Sequence, residues 1–447
     1  MARRLLYNAQ IVNEGKCFCG YVGIADDIIE VVAEGQPTES VMSSFDECED
    51  LNGALLLPGV IDDQVHFREP GLTHKADIAS ESKAAVAGGV TSFMDMPNTM
   101  PQTVTIEALE AKNQRASEVS WANYGFFIGA TNDNIDELRA IDYSKTPGIK
   151  LFLGASTGNM LVDNEKALDD IFGLEGIIAI HSEDEKIIRD NMAKHKEMYG
   201  DNIPIGCHPA IRSEEACYVS TKRAVERALK HGTRLHVFHL STAKELEFFN
   251  TQPLNEKKIT AEVCVHHLWF CNEDYDRLGT RIKWNPAIKT AADRKALQDA
   301  VNSGMIDIVA TDHAPHLPNE KEGDCSKAAS GGPMVQHSLV VMLELADRGV
   351  FTIEKVVESM SHNPADLYRI ERRGYIREGY YADLVVVKPN EQWIVSKENI
   401  LTKCGWSPLE GETFNNKVAM TIVNGNVVYR NGQHFEFVAG QRMTYNA

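Results

Sequence analysis

The segment ALLLPGVIDDQVHFREPG, residues 54–71, places a short apolar run directly before a group of polar side chains. The run Ala54–Ile61 has the length and the aliphatic composition of a buried β-strand. His66 and Arg68 follow where such a strand would end. Since parallel α/β folds present functional side chains at the carboxyl ends of their strands, this segment predicts a site at one end of a parallel sheet.

Similar apolar runs recur as far as Thr311, and helical segments separate them. One such helix is expected to begin after Ser213 and to end before Gly232, in accord with capping preferences. Strands that alternate with helices in this number predict an α/β fold, a TIM-type (β/α)8 barrel, with a doubly wound open sheet as the alternative. The candidate strands are Ala54–Ile61, Thr91–Met96, Trp121–Ile128, Gly148–Leu153, Gly176–Ile180, Arg234–Leu240, Ile259–Cys264 and Ile306–Thr311.

The two ends of the chain differ from its middle, because residues 5–33 and 381–430 consist of short apolar runs interrupted by turn residues. Asn424-Gly425 between two such runs is typical of a hairpin with a type I′ turn. We expect residues 1–54 and 381–447 to form one small β-sandwich domain, and residues 55–380 to form the barrel domain. The loop 317–333, rich in Lys, Glu, Gly and Ser, is expected to be mobile.

The composition restricts the class of partner. Lys and Arg number 45 against 64 Asp and Glu, so the formal net charge is −19, which repels nucleic acid and anionic membrane surfaces. The N-terminus lacks the apolar core of a signal peptide, and no window reaches the roughly 20 apolar residues of a membrane span. Nine cysteines without a C-x-x-C pair indicate reduced thiols. We therefore expect a soluble, cytoplasmic protein that acts on a small molecule, and a homodimer is a further possibility.

Metal-ligand residue types follow several of the predicted strands. His66 follows the first strand, His181 the fifth and Asp312 the eighth, while His239 lies near the end of the sixth. A lone histidine at a strand end is usually structural, but these side chains would converge on the barrel axis. Nitrogen and oxygen ligands in this mixture suit zinc or a related divalent ion.

The sequence resembles the amidohydrolase superfamily and, within it, the dihydroorotases, over nearly the whole chain. The motifs that carry the resemblance are PGVIDDQVHFREPG at Pro58–Gly71, MPNT at Met96–Thr99, KWNP at Lys283–Pro286 and TDHAPH at Thr311–His316. The resemblance implies reversible, metal-dependent cyclisation of N-carbamoyl-L-aspartate to L-dihydroorotate in de novo pyrimidine biosynthesis.

The resemblance also implies a metal centre with up to two zinc ions per chain. A lysine carboxylated by carbon dioxide, Lys150 of the fourth strand, would bridge them as a carbamate. The inner ion would be held by His181 and His239, and the outer ion by an H-x-H pair after the first strand together with the aspartate after the eighth. The first histidine of that pair is Gln64 here, and an amide oxygen is a poorer ligand for zinc. We therefore expect unequal occupancy. The implied metal ligands are His66, Lys150, His181, His239 and Asp312.

Catalytic and substrate-binding roles follow from the same resemblance. Asp312 is expected to carry the proton from the attacking water to the leaving amide nitrogen. A guanidinium at the strand-end loop suits the ring carboxylate of dihydroorotate. The implied substrate-binding residues are Arg68, Asn98, Asn285 and His316.

Two alternatives stay open at this point. One is an allantoinase or dihydropyrimidinase type of cyclic amidohydrolase, which acts on rings without that carboxylate. The other is a non-catalytic dihydroorotase homologue that serves as a structural partner, because one ligand position is changed. Activity toward allantoin or dihydrouracil that exceeds activity toward dihydroorotate would identify the first alternative, and assay of the purified chain with and without added zinc tests the second.

Overall fold

The computed structural model describes residues 3–154 and 160–446. Its centre is a closed barrel of parallel strands, each hydrogen-bonded to the next in chain order. The barrel closes where Val65 of the first strand bridges His313 after the last, with His66 N donating to His313 O at 2.7 Å. The strands are Val60–Val65, Val90–Asp95, Asn123–Phe126 continued as Ile128–Gly129, Ile149–Phe152, Ile177–His181, Arg234–Val237, Ile259–Cys264 and Ile308–Ala310. The predicted (β/α)8 barrel is confirmed, and the open sheet is excluded.

Helices cover the outside of the barrel and bury their apolar faces against the strands. The predicted helix over Glu214–His231 is confirmed: the Ser213 side chain accepts from Ala216 N, and Gly232 ends the helix with a left-handed φ of 71°. No helix in the described ranges has the length and apolar character needed to cross a membrane. The longer helices are Ile78–Ala87, Ile106–Val119, Glu165–Phe172, Glu185–Tyr199, Glu214–His231, Ala291–Ser303 and Ser338–Asp347; the shorter ones are Glu39–Met42, Ile135–Arg139, His208–Ile211, Val265–Trp269, Tyr275–Leu278, Ile353–Val357 and Asn363–Tyr368.

Both termini meet in one β-rich unit beside the barrel, as the sequence predicts. Its strands bury a shared apolar core that is separate from the main barrel core. The predicted hairpin is present, with Asn424 and Gly425 in left-handed conformation between Lys417–Val423 and Asn426–Arg430. The strands of this sheet are Arg4–Asn13, Lys16–Ala25, Ile28–Glu34, Glu47–Asp50, Leu55–Pro58, Leu384–Lys388, Lys417–Val423, Asn426–Arg430 and Gln433–His434.

The run Ala54–Ile61, predicted as one strand, is divided between the two sheets. Leu55–Pro58 pairs with strands of both termini, whereas Val60–Val65 begins the barrel. Gly59 lies at the division, where a Cβ atom would come within 2.0 Å of Thr91 Oγ1. An apolar run does not reveal this division, because strands of either sheet are buried and aliphatic. The domain ranges 1–54 with 381–447, and 55–380, stay a prediction.

Candidate active site

A cavity of about 380 Å³ lies at the carboxyl ends of the barrel strands. Every residue that the sequence singles out for metal or substrate binding lines it, and so does Gln64. Residues of the loop 317–333 form part of its wall. The lining residues are Gln64, His66, Arg68, Asn98, Lys150, Phe152, His181, Arg212, His239, Trp284, Asn285, Asp312, Ala314, His316, Ala329, Ser330 and Gly331.

Three of these lining residues have a strained backbone conformation. Arg68, His239 and Asp312 have positive φ values of 69°, 41° and 43°. Such values cost a non-glycine residue about 1–3 kcal/mol and persist only where the surrounding structure enforces them. Each residue comes directly after or close to the end of a barrel strand, so the strain turns its side chain away from the regular strand direction at the cavity.

Two histidines face each other across the inner part of the cavity. His181 Nδ1 lies 3.0 Å from His239 Nε2, and His181 Nε2 lies 2.9 Å from Glu183 Oε2. An ionised carboxylate accepts the Nε2 proton, which leaves Nδ1 of His181 with a lone pair directed at His239. His239 Nε2 is then the donor of this hydrogen bond, and loss of its proton would make both nitrogens available to one cation placed between the rings.

Glu183 and Arg212 form a buried pair behind His181 that sequence reasoning missed. Arg212 Nη1 donates to Glu183 Oε2. Burial opposes ionisation of Glu183, but the charge of Arg212 and the bond to His181 outweigh burial and hold its pKa at about 2. The H-S-E spacing after the fifth strand is the signal that could have revealed Glu183, since ligating histidines commonly have a carboxylate partner.

Lys150 is the third inner residue, and its amine is isolated. Nζ is buried with no hydrogen-bond partner among the described residues, and it lies 4.0 Å from the ring centre of Phe238. Burial lowers the pKa of Lys150 to about 7, because desolvation penalises the ammonium. A neutral amine that lacks partners at neutral pH is a nucleophile for carbon dioxide, so Lys150 fits a carbamate.

His66 lies between the residues predicted to bind metal and those predicted to bind substrate. Its Nε2 lies 3.0 Å from Asp312 Oδ1, and its Nδ1 lies 2.8 Å from Asn98 Oδ1. Asn98 therefore orients the His66 ring through its carbonyl oxygen, which leaves its NH₂ group for another acceptor. Sequence reasoning assigned Asn98 to substrate alone and did not foresee this contact.

Arg68 and His316 lie together at the other end of the cavity. Arg68 Nη2 is 3.1 Å from His316 Nε2, while Lys75 Nζ is 3.1 Å from His316 Nδ1. Burial and these cations hold the pKa of His316 far below its usual value, so the ring is neutral. Since Nδ1 accepts from Lys75, Nε2 carries the proton and donates to Ser330 O at 3.1 Å. Arg68 Nη2 thus finds no acceptor in His316 and can donate to a ligand.

Asn285 completes the wall near two histidines of the short helix Val265–Trp269, which follows the seventh strand. Its Oδ1 is buried without a hydrogen-bond partner in the described part of the chain. The neighbouring Trp284 stacks on His266 at 4.3 Å, and His267 Nε2 lies 3.2 Å from Pro286 O. His266 and His267 hold this segment and do not line the cavity.

Gln64 is the departure from the expected ligand pattern. Its side chain is buried against the cavity floor, and its Oε1 lies 3.8 Å from Cys264 Sγ. Two other groups of ligand-type residues are buried nearby but do not line the cavity. Asp63, His236 and Glu262 form one group, and Cys264, His266 and His267 form the other. The donor set that a cation can reach is therefore the imidazoles of His66, His181 and His239, the Asp312 carboxylate and Lys150. It fits a divalent metal, with a weak position at Gln64.

Comparison with known proteins identifies the family of the chain. The Amidohydrolase family matches residues 55–428. The dihydroorotase of Halobacterium salinarum is 35% identical over 382 residues, or 84% of this chain and 86% of the relative. The dihydroorotase of Pyrococcus furiosus is 31% identical over 441 residues, or 97% and 96% of the two chains. The solved L-hydantoinase (dihydropyrimidinase) from Arthrobacter aurescens, 24% identical, has a TM-score of 0.92 over 99% of this chain and 100% of that one.

The last likeness concerns the fold alone, because its sequence identity is low, whereas the sequence relatives cover most of both chains. The chain therefore belongs to the amidohydrolase family, in which the relatives that it matches along most of its length are dihydroorotases.

Proposed function

We propose that this protein is a dihydroorotase that interconverts N-carbamoyl-L-aspartate and L-dihydroorotate in pyrimidine biosynthesis, as the names of its relatives suggest. One observation carries the proposal: a single cavity has side chains of metal-ligand type at one end and the buried guanidinium of Arg68 at the other. A cyclic amide with a ring carboxylate spans these two ends. Rings without a carboxylate would leave the buried Arg68 without an anionic partner.

The carboxylate end would bind substrate through Arg68, Asn98 and His316. Arg68 Nε donates to Pro315 O at 3.1 Å, so the guanidinium is oriented before substrate arrives. Its Nη groups can form two parallel hydrogen bonds with a carboxylate. The Asn98 NH₂ group adds a donor, and the unpaired Oδ1 of Asn285 suits an N–H of the ring amide.

We propose that the metal end holds zinc. His181, His239 and the Lys150 carbamate would hold the inner ion, and His66, Asp312 and the same carbamate the outer one. When bound, a metal pair of this kind lowers the pKa of a water molecule and polarises the scissile carbonyl. The weak position at Gln64 supports lower occupancy of the outer site in protein prepared without added zinc.

Asp312 is the proposed proton carrier. As water attacks the ring carbonyl carbon, Asp312 accepts its proton; as the C–N bond breaks, Asp312 returns the proton to the departing nitrogen. In the direction of cyclisation, the same carboxylate takes the proton from the ureido nitrogen and gives it to the leaving oxygen. His66 Nε2 lies 3.0 Å from Asp312 Oδ1, so the two residues proposed to hold the outer ion lie side by side.

We also propose a cytoplasmic location without nucleic-acid or membrane partners. The net charge of −19 supports this proposal. A homodimer stays a prediction.

The test is an assay of chain purified with zinc and bicarbonate. We expect ring opening of dihydroorotate and cyclisation of carbamoyl aspartate, both lost on chelation and regained with zinc. Allantoin and dihydrouracil serve as carboxylate-free comparison substrates. Faster turnover of either would support a hydantoinase-type activity instead, and no turnover by a metal-loaded chain would support a non-catalytic partner.

A further inference from the structure

The loop 317–333 is attached to the rest of the protein through Lys321. Its side chain is only 4% exposed, although the loop was expected from its composition to be mobile. Nζ donates to Lys283 O at 3.2 Å, to Ala329 O at 2.7 Å and to Gly331 O at 2.6 Å. Burial lowers the pKa of the amine, whereas three acceptors favour the charged form, since only an ammonium has three N–H donors.

No carboxylate pairs with Lys321 among residues 3–154 and 160–446. Its other neighbours are the rings of Trp284 and Trp406, at 5.9 and 5.8 Å. A buried lysine without an acidic partner is rare, because the desolvation penalty must be offset by fixed dipoles. The three carbonyl groups supply those dipoles, so the loop and the amine hold each other in one arrangement.

The two loop carbonyls that Lys321 binds flank Ser330, which lies in the cavity wall. Ser330 O in turn accepts from His316 Nε2 at 3.1 Å, and His316 adjoins Arg68. A continuous set of contacts therefore joins the Lys321 amine to the carboxylate end of the cavity, although Lys321 itself does not line the cavity.

The same short turn also holds the opposite side of the His316 ring. Glu320 Oε1 lies 2.6 Å from Lys75 Nζ, which contacts His316 Nδ1. Consecutive residues of the turn thus act on both ring nitrogens, Glu320 through Lys75 and Lys321 through Ser330. A shift of this turn would change the tautomer or the position of His316, and with it the donors available to a ring carboxylate.

We infer that Lys321 is a positioning residue that sets the affinity of the cavity for an anionic ring by holding residues 329–331 against His316. This inference rests on the proposed dihydroorotase function. Loss of the amine would leave three carbonyl groups to reorganise, and each substrate molecule would have to order the loop on binding. The effect should therefore fall on substrate binding and not on the chemical step.

The test compares Lys321→Met, which keeps the length and apolar stem of the side chain, with Lys321→Arg and with the control Lys327→Met. Lys327 lies on the same loop, but its side chain is 60% exposed and pairs with Asp324. We expect Lys321→Met to raise KM for dihydroorotate about 10-fold, equivalent to about 1.4 kcal/mol, with kcat changed less than about 2-fold. Lys321→Arg should restore part of the loss, and Lys327→Met should resemble the parent.

Hydrogen exchange provides a readout that does not depend on activity. The N–H groups of Ala329 and Gly331 donate to Glu320 O and Lys283 O, and both should exchange faster in Lys321→Met than in Lys327→Met, with zinc content unchanged. An unchanged KM together with unchanged exchange in Lys321→Met would overturn the inference. A fall in the kcat of Lys321→Met at constant KM would overturn it as well. If the parent chain shows no dihydroorotate turnover, the proposed function fails, whereas the exchange comparison still decides the role of Lys321.

Discussion

The two ends of the cavity are built in different ways. At the metal end, His181 and Lys150 belong to neighbouring barrel strands, so the parallel hydrogen-bond ladder fixes their spacing, and Asp312 lies two residues after another strand. At the carboxylate end, His316 and Ser330 lie on loops. Hydrogen bonds to backbone carbonyl groups hold these loops together: His316 Nε2 donates to Ser330 O, and Lys321 Nζ donates to Ala329 O. The comparison predicts that the barrel strands position the proposed catalytic residues, while the loops position the residues proposed to select the substrate.

The largest effect is expected at the metal end, with Asp312→Asn. A neutral amide can neither accept the water proton nor return it, so turnover should fall by about 10²- to 10⁴-fold. Steady-state assay of dihydroorotate ring opening measures the loss, and thermal unfolding checks the fold. Turnover close to that of the parent in a folded variant would contradict the proposed role of Asp312.

At the carboxylate end, Arg68→Lys should change substrate choice more than chemistry. A point charge cannot form the two parallel bonds of a guanidinium, so KM for dihydroorotate should rise about 10- to 100-fold. A neutral ring, if it is turned over, should be affected far less. Arg115→Lys is the control, because Arg115 pairs with Glu69 outside the cavity. Equal losses on charged and neutral rings would make Arg68 structural.

The carboxylate behind His181 offers a smaller perturbation of the metal end. Glu183→Gln removes the charge that orients His181 and leaves Arg212 without its partner, so zinc affinity should fall about 10-fold or more. Competition with a chelator measures the affinity. The matched control is Glu245→Gln, since this buried carboxylate contacts hydroxyl groups of Thr221 and Thr242 and no histidine. Equal zinc affinity in both variants would remove Glu183 from the metal centre.

The smallest expected change concerns Gln64, which stands at the position of the first histidine of the H-x-H pair. Gln64→His would restore the H-x-H pair, so the outer site should bind zinc about 10-fold more tightly and activity should depend less on added metal. Zinc titration of metal-free protein, monitored by both stoichiometry and activity, measures this difference. Two equally tight sites in the unmodified protein would show that Gln64 does not weaken the outer site.

Much of the metal end could be predicted because local pattern determines it. Apolar runs of strand length locate the barrel strands, and His66, His181 and Asp312 lie at the end of a strand or within two residues after it. Their roles stay predictions. The division of Ala54–Ile61 between two sheets could not be predicted, since it depends on which distant strands pair with each half.

The sequence by itself determined the alternation of strands and helices, the β-strand character of the two ends of the chain and the residue types offered at the strand ends, because hydrophobic periodicity and strand-end position are local properties. Only the tertiary structure decided which other side chains contact the residues at the strand ends. The side chains that contact each other are far apart in sequence: Glu183 and Arg212 by 29 residues, Asn98 and His66 by 32, and Arg68 and His316 by 248. Lys321, an ordinary loop lysine in the sequence, becomes buried because the fold surrounds its amine with three carbonyl groups whose positions no local pattern specifies.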